Sequence, residues 1–342
     1  MPGPAMSPLD LTRSQILAFR RRVGALDERL PAGARSLRRA AWAGLQDSMP
    51  RAALLSIHAR VEGAHPASWE DPALVQVWGP RFNAYVVPAC DHAIFTLARL
   101  PDDERGRRRA EDMAARLHAF LDGRRMTDRE VARETGIGNA MRYGTTTGTL
   151  LIRWEGARAP IVWTVPRPEI DALDARRELA RRYLHVYGPT TPMAFAKWAG
   201  IGSAQAQETF DALGRALTPV RTPIGEAWIL SSDESAIRAE PGPAAAARLL
   251  PSGDAYYLLQ GADRELLVPD AAQRGELWTS RVWPGAVVVA GEPVGTWRRA
   301  QAKLTIEPWR QLSSAEREAV EAEAAMLPLP GIEGQITVRW DD

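Results

Sequence analysis

The sequence predicts an α+β protein in which three helical units, each ending in a β-hairpin, precede a β-rich C-terminal region. The first observation is a repeat, because TDREVARETGIG at residues 127–138 returns as TPMAFAKWAGIG at residues 191–202. The second is that a β-rich run with a central turn follows each group of helical segments. The third is a turn-punctuated β-rich stretch near the C terminus, which is typical of a small barrel or a meander. Together they predict three tandem winged-helix units followed by a small C-terminal β-barrel.

The repeat has the sequence features of a short helix, a tight turn and a second helix. Thr127 and Thr191 are helix N-cap residues, and Glu130 stands three positions after Thr127 as in a capping box. Gly136 and Gly200 stand where such a helix would end in a turn. This pattern predicts a helix-turn-helix, with a generic helical hairpin as the alternative.

Unit 1 is predicted at residues 9–122, after a Pro- and Gly-rich leader at residues 1–8 that predicts disorder. Thr12 and Gln15 are spaced as a capping box for its first helix. A hairpin is expected around the pair Gly79-Pro80, and a charged amphipathic helix follows it. The predicted helices cover residues 11–22, 36–44, 50–61 and 101–122, and the predicted hairpin covers residues 74–88.

The remaining units follow the same order. Unit 2 is predicted at residues 123–187 and unit 3 at residues 188–232, and each contains a hairpin signal. A polar and then Pro/Ala-rich stretch at residues 233–247 predicts a linker, and residues 248–342 predict the β-barrel domain. Within units 2 and 3 the hairpins are expected at residues 148–165 and 217–230.

The amino-acid composition limits the classes of function that we expect for this chain. The 342 residues lack an apolar run of about 18 residues and a secretion signal, which predicts a cytoplasmic protein without a membrane partner. One cysteine and five scattered histidines predict neither a disulfide framework nor a metal site, and we expect no cofactor. The arginine-rich first sixty residues suit a polyanionic partner. Because only Lys197 and Lys303 are lysines, a GC-rich bacterial composition is the alternative explanation of the arginines.

Four segments resemble one protein family, and they are spread over nearly the whole chain. They are GLQDSMPRAALLSIHARVEG (44–63), RRYLHVYGPTTPMAFAKWAGI (181–201), LLPSGDAYYLL (249–259) and VGTWRR (294–299). The chain resembles the bacterial crosslink-unhooking DNA glycosylases of the azinomycin-resistance type, within a wider set of winged-helix DNA-binding domain proteins. The resemblance implies three winged helices and a β-barrel that wrap duplex DNA around a concave channel. Three winged helices in one chain suit a monomer that clamps one DNA segment.

The resemblance also implies a catalytic triplet, which in that family is Gln-apolar-Gln with Gln-apolar-Asp and His-apolar-Gln variants. Here the triplet falls on Gln46, Asp47 and Ser48. Gln46 matches the first position, Asp47 replaces the apolar residue and Ser48 replaces the last amide. A small shift would bring the Asp47 carboxylate to a water that Gln46 orients. Alternatively, Ser48 reaches the water while Gln46 stabilises the sugar, because polar side chains at i and i+2 of an extended segment share a face. The alternative is that Asp47 or Ser48 caps the following helix. His58 is a further candidate, although a lone histidine on an apolar helix is more often packed in a core.

Basic residues at helix starts and hairpin turns are the candidate DNA contacts. They are expected to bind phosphates, so that binding would depend on salt and be largely indifferent to sequence. Surface solvation is the alternative for each residue taken alone. The candidates are Arg51, Arg81, Arg142, Arg158 and Lys197.

Three functions are open at this stage. The first is a monofunctional DNA glycosylase that hydrolyses the N-glycosidic bond of N-alkylated or crosslinked purines in duplex DNA. The second is a non-enzymatic winged-helix DNA-binding protein, either a transcription regulator or a damage-recognition factor, with a degenerate triplet. The third is a protein-interaction scaffold, because winged helices also bind proteins. Base release from alkylated DNA separates the first from the others.

Overall fold

The structure is a computed structural model that describes residues 9–49, 51–156, 158–332 and 334–341. The described residues form helices and three β-sheets joined by loops, which confirms the α+β class. No helix in the described part of the chain is long and apolar enough to cross a membrane. The predicted leader at residues 1–8 and Pro50, the predicted start of a helix, lie outside the described residues.

The first segment contains the helices and the hairpin expected for unit 1. Its elements are β1 (Leu9–Asp10), α1 (Arg13–Val23), α2 (Ala34–Ala40), β2 (Leu45–Gln46), α3 (Ala52–Arg60), β3 (Leu74–Trp78), β4 (Ala84–Pro88) and α4 (His92–Thr96). The predicted capping box begins α1, because Thr12 Oγ1 accepts the Gln15 N–H at 3.2 Å and the Gln15 side chain accepts the Thr12 N–H.

The second segment begins with the charged helix and contains the first copy of the repeat. Its elements are α5 (Glu104–Leu121), β5 (Met126–Thr127), α6 (Asp128–Thr135), α7 (Met141–Gly144), β6 (Leu150–Arg153) and β7 (Ile161–Thr164). Thr127 and Glu130 form the predicted capping box of α6. Gly136 ends this helix with a φ of 70°, a left-handed conformation that glycine adopts without strain.

The third segment contains the second copy of the repeat. Its elements are α8 (Ala172–Tyr187), α9 (Pro192–Ala199), α10 (Ser203–Leu213), β8 (Leu217–Thr222), β9 (Gly225–Leu230) and α11 (Glu234–Arg238). Thr191 caps α9 and Gly200 ends it with a φ of 71°, as the repeat predicts. The C-terminal segment comprises β10 (Ala247–Leu250), α12 (Asp263–Leu267), α13 (Ala271–Leu277), β11 (Gly285–Val289), β12 (Glu292–Ala300), β13 (Lys303–Pro308), α14 (Ser314–Ala325) and β14 (Thr337–Trp340).

One order of elements recurs in the first three segments. A helix leads into a short strand or a single bridge residue, helical turns follow, and a hairpin comes last in this order. In each case the short strand pairs with the last strand of its own hairpin: β2 with β4, β5 with β7, and Thr190 with Trp228 of β9. The first two hairpins also join each other, because Gln76 of β3 pairs with Ile152 of β6. Their strands form one six-stranded sheet in the order β2-β4-β3-β6-β7-β5.

The C-terminal strands form an open sheet in which β10 to β13 are a meander, so the predicted small β-barrel is wrong and its alternative, a meander, is observed. The order is β10-β11-β12-β13-β14, and among the described residues β10 and β14 are edges that do not pair with each other. Helix α14 explains why the sheet stays open. Its Val320 and Ala324 pack in one core cluster with Val287 and Leu304 of the strands. The apolar face of the sheet is therefore covered by a helix, and closure on itself is not needed to bury that face.

The N terminus packs on the third segment. Strand β1 pairs in parallel with β8, and Phe19 of α1 lies in a core cluster with Ile229 of β9. Ile237 of α11 belongs to the same cluster and is fully buried. The stretch predicted as a linker at residues 233–247 therefore contains a helix that packs on α1.

Candidate active site

Gln46 is the residue around which the candidate site is built. It ends strand β2, where it pairs with Tyr85 of β4, and its side chain is half-buried. Two donors approach its Oε1 atom: Arg81 Nη2 at 3.1 Å and Tyr85 Oη at 3.3 Å. The Nε2 atom lies near Gly253, because a Cβ atom at that position would stand 2.9 Å from it. The amide is thus held between β4 and a loop of the C-terminal segment.

Arg81 and Tyr85 are themselves fixed by their surroundings. Tyr85 is fully buried, and burial raises the pKa of its hydroxyl group, so it is a neutral donor at physiological pH. Arg81 lies in the turn between β3 and β4 with a φ of 54°. Its backbone packs against Gly200, where an added Cβ would meet Arg81 Cα at 3.1 Å. Its Nε atom is buried and has no hydrogen-bond partner within the described residues.

Asp47 faces the opposite way from Gln46, as neighbouring residues on a strand do. It is 2% exposed, and its two oxygens accept different donors: Oδ1 accepts the Ala53 N–H at 3.0 Å and Oδ2 accepts Gln76 Nε2 at 2.8 Å. Ala53 is the second residue of α3, so Asp47 satisfies an otherwise free N–H at the start of that helix. Burial raises the pKa of Asp47 to about 7 against the opposing effects of the Ala53 N–H, the Arg51 charge and Gln76.

Gln76 extends the contacts of Asp47 to the second hairpin. Its Oε1 accepts the Trp154 N–H at 2.6 Å, and its Nε2 also donates to the Trp154 carbonyl at 3.3 Å. Gln76 is 4% exposed. Asp47 therefore belongs to a buried chain of hydrogen bonds that ties α3, β3 and the residue after β6 together.

Ser48 is half-buried, and its Oγ has no hydrogen-bond partner in the part of the chain that the structure describes. It lies two residues after Gln46, the spacing that the sequence suggested for a shared water. The structure thus brings Gln46 near Arg81 and Tyr85, turns Asp47 into the interior and leaves the buried Ser48 hydroxyl without a partner among the described residues.

A loop that sequence reasoning left without a role completes the site. Asp254 follows Gly253, is 1% exposed and accepts Arg60 Nη2 and Nη1 at 2.7 Å each. The Ser56 hydroxyl donates to the same carboxylate at 2.6 Å. Helix α3 thereby holds the loop against Gln46. The segment LLPSGDAYYLL was a signal of resemblance, and its Gly-Asp pair could have been recognised as a tight turn with a buried carboxylate.

The sequence model of the family described as DNA glycosylase AlkZ-like matches residues 39–328. The chain belongs to this family. An interstrand DNA cross-link repair glycosylase of Streptomyces sahachiroi is 27% identical over 249 residues, which is 64% of this chain and 65% of that protein. The chain therefore matches slightly less than two thirds of that relative. The solved structure of the Streptomyces sahachiroi DNA glycosylase AlkZ is similar with a TM-score of 0.79 at 20% identity, over 97% of this chain and all of that chain.

The basic residues predicted as DNA contacts of this AlkZ-like chain lie at different places. Arg51 has a φ of 68° before α3, and its guanidinium group lies 4.4 Å from the centroid of the Trp69 ring. Arg81 is engaged with Gln46. Arg142, Arg158 and Lys197 are exposed, and Arg158 lies 3.8 Å from Glu155. The structure brings only Arg81 into contact with the candidate catalytic residue, and Arg142 and Arg158 line one cavity.

His58 lies away from Gln46 in this AlkZ-like fold. It is 6% exposed, its Nε2 lies 3.2 Å from Arg29 Nη2, and its carbonyl accepts Arg29 Nε at 2.7 Å. Glu323 of α14 accepts the same guanidinium group. Burial, with help from Arg29 and Arg248, lowers the pKa of His58 to about 4. His58 is a packed, neutral residue and not part of the candidate site.

Proposed function

We propose that this AlkZ-like protein is a monofunctional DNA glycosylase that hydrolyses the N-glycosidic bond of N-alkylated or crosslinked purines in duplex DNA. The observation that carries the proposal is the Gln46 amide, held by Arg81 and Tyr85 at the first position of the family triplet. We further propose that the three recurrent segments are winged-helix units and that the protein acts as a cytoplasmic monomer.

Hydrolysis of this N-glycosidic bond needs little assistance from the protein, because an N7- or N3-alkylated purine is cationic and is a good leaving group. Water forms the new bond to C1′, the C1′–N bond breaks, and the base leaves with the bonding electron pair as a neutral molecule. The proton released by the water passes to solvent. The protein must hold the water and stabilise a sugar that resembles an oxocarbenium ion, which hydrogen bonds and fixed dipoles accomplish. No metal is needed for these steps.

Gln46 and Ser48 are the residues proposed to hold this water. The amide oxygen of Gln46 has two lone pairs, and both face donors in the DNA-free protein. We propose that a phosphate of bound DNA draws Arg81 away and frees one of them, which would unite the DNA-binding and catalytic predictions for this hairpin turn. The Ser48 hydroxyl is the second water ligand.

Asp47 is proposed to position these groups and not to touch the water. Its carboxylate accepts the Ala53 N–H and the Gln76 side chain, so it fixes the start of α3 immediately after the triplet. This supports the capping explanation that the sequence left open. Arg51, Arg142, Arg158 and Lys197 are proposed to bind phosphates around the channel.

Excision assays with duplex DNA containing N7-alkylguanine, simple or crosslinked, test the proposal. Base release is measured as alkali-sensitive strand cleavage in wild type, Gln46→Ala and, as a matched control, Gln207→Ala, an exposed glutamine of α10. We expect Gln46→Ala to lower the single-turnover rate by about 100-fold or more, whereas Gln207→Ala excises like wild type. Ser48→Ala is expected to lower the rate less.

A non-enzymatic DNA-binding protein is the second candidate. The observation in its favour is that the last triplet residue carries a hydroxyl in place of an amide, while Asp47 is committed to structural contacts. Salt-sensitive duplex binding without base release above the spontaneous rate on either substrate would establish this alternative and refute the glycosylase.

A further inference from the structure

A cavity of about 500 Å³ lies between the first hairpin and the second segment, away from Gln46. Its volume lies in the range of about 300–1,000 Å³ that small-molecule sites occupy. Its wall combines tryptophan, arginine and aspartate side chains, and two of the arginines were predicted as DNA contacts from the sequence. The chemically distinctive lining residues are Trp78, Asp128, Arg129, Arg142, Trp154 and Arg158.

Asp128 is one of the residues that line this cavity. It is the first residue of α6, and its N–H donates to the Pro160 carbonyl at 2.8 Å. Its Oδ1 atom is buried and has no hydrogen-bond partner among residues 9–49, 51–156, 158–332 and 334–341. Burial raises the pKa of Asp128, opposed by the Arg129 N–H and by the charges of Arg142 and Arg129. Since an unpaired buried carboxylate oxygen costs free energy, this atom is suited to a ligand that supplies N–H donors.

The cationic and aromatic groups of the cavity are held in place by contacts with the fold. The Arg142 guanidinium group lies 5.4 Å from the centroid of the Trp78 ring, and Trp78 itself is 4% exposed. The backbone of Trp154 is fixed by Gln76 on both its N–H and its carbonyl. Trp154 is half-buried, so it has surface available for stacking.

We propose that this cavity binds a guanine nucleotide. Guanine presents two adjacent N–H donors, N1 and N2, to a carboxylate such as Asp128, and its O6 and N7 acceptors suit an arginine such as Arg142. Trp154 supplies the stacking surface. Arg129 and Arg158 at the rim supply the charge for a phosphate group. Adenine has only one amino donor on the corresponding edge, so it satisfies the carboxylate less well.

The guanine nucleotide is part of the bound DNA strand. The inference therefore rests on the proposed function, because the protein must bind DNA to present this nucleotide to the cavity. The cavity would hold an unpaired, unmodified guanine next to the lesion and would so add a preference for guanine-containing sequence to the recognition of the substrate.

Calorimetric titration of the full-length protein with deoxynucleoside monophosphates tests the inference without any excision step. We expect dGMP to bind about tenfold more tightly than dAMP, dCMP or dTMP, and more tightly than inorganic phosphate. Asp128→Asn, which keeps the side-chain shape, is expected to weaken dGMP binding about tenfold and to remove the preference for guanine. Asp112→Asn is the matched control, because Asp112 is an exposed acid on α5.

Arg142→Gln is a second variant, and it changes an exposed residue. It still tests dGMP binding by the cavity if Asp128→Asn folds poorly. It is expected to weaken dGMP binding as well. Equal binding of all four nucleotides, with phosphate competing as well as dGMP, would reduce the cavity to an anion site and overturn the inference, as would the absence of binding. A wild-type protein that excises lesions but binds none of the nucleotides counts against this pocket alone. Absence of excision in a protein that binds dGMP counts against the glycosylase alone.

Discussion

Asp47 and His58 are two buried ionisable residues of the first segment that titrate in opposite senses. The folded protein holds the Asp47 proton up to a pKa of about 7, whereas an unfolded chain releases it near pH 4. The folded protein keeps His58 neutral down to a pKa of about 4, whereas an unfolded chain protonates it near pH 6.5. The contribution of Asp47 to stability is therefore lost as the pH rises towards 7, and that of His58 is lost as the pH falls from about 6.5.

These opposite signs predict a specific pH profile for the free energy of unfolding. Between about pH 4 and 6.5 the two effects offset each other, and above pH 6.5 only the decline due to Asp47 remains. In Asp47→Asn we expect stability to rise more steeply from pH 4.5 to 6.5 and to stay level from pH 6.5 to 8. The whole Asp47 effect amounts to at most about 4 kcal/mol for three pKa units.

Urea denaturation at half-unit pH steps measures this profile. His58→Gln is the complementary variant, because it removes the opposing effect and is expected to make the decline with rising pH visible from about pH 4.5 onward. If the stability profiles of wild type and Asp47→Asn run parallel, Asp47 titrates normally in the folded protein, and its burial does not raise its pKa.

At the scale of single elements, the sequence predicts those features that depend only on residues close to each other in the chain. The caps at Thr12, Thr127 and Thr191 were predicted because an N-cap side chain bonds to an N–H only two or three positions away. The three hairpins were predicted for the same reason, since a turn and its flanking strands are contiguous. Pairings between distant segments, such as β1 with β8, leave no such local signal.

The candidate site was predictable only in part for the same physical reason. Gln46 was identified through the family triplet, but the sequence could not place Arg81 and Tyr85 on its amide, because those contacts depend on how β2 pairs with β4. Arg81 was expected just past the tip of the first hairpin, as a DNA contact. The turn instead packs against Gly200 at the end of α9, which turns the arginine towards Gln46.

The turn that contains Gly253 gives a prediction at the scale of this element. Gly253 has a φ of 75°, and an added Cβ would meet Gln46 Nε2 at 2.9 Å and Cδ at 3.3 Å. Gly253→Ala is therefore expected to displace the amide and to lower lesion excision by about 10- to 100-fold. The left-handed backbone is expected to cost about 1–2 kcal/mol of stability in addition.

Gly123→Ala separates these two effects. Gly123 has a φ of 77° and nothing within 4 Å of an added Cβ, so its variant has the same backbone strain without the contact to Gln46. We expect it to lose similar stability by thermal denaturation and to excise like wild type. If both alanine variants lose activity to the same degree, backbone strain and not displacement of Gln46 is responsible.

Across the whole molecule, arginine side chains join segments that are far apart in sequence. Arg13 of α1 donates to the Leu266 and Leu267 carbonyls and pairs with Glu292 at 2.6 Å. Buried Arg20 donates to the Tyr187 and Gly188 carbonyls. Arginine suits this task because its five donors satisfy several carbonyl and carboxylate oxygens at once. The segments are thereby held around Gln46, which itself lies between the first hairpin and the C-terminal loop.

The ion pair between Arg60 and Asp254 is the deepest of these connections and supports the last prediction. Both side chains are almost fully buried, and the carboxylate also accepts the Ser56 hydroxyl and the Tyr256 N–H. Arg60→Met leaves a buried charge without its partner, so we expect it to lower the free energy of unfolding by about 3–5 kcal/mol. Arg60→Met/Asp254→Asn removes both charges and should cost less than the sum of the single changes, by about 1–3 kcal/mol in a double-mutant cycle followed by urea denaturation. Excision by the double variant reports on the loop, because Gly253 lies against Gln46 only while its neighbour Asp254 is held by α3. Additive losses of stability, together with unchanged excision, would show that the pair neither couples the segments nor supports the site.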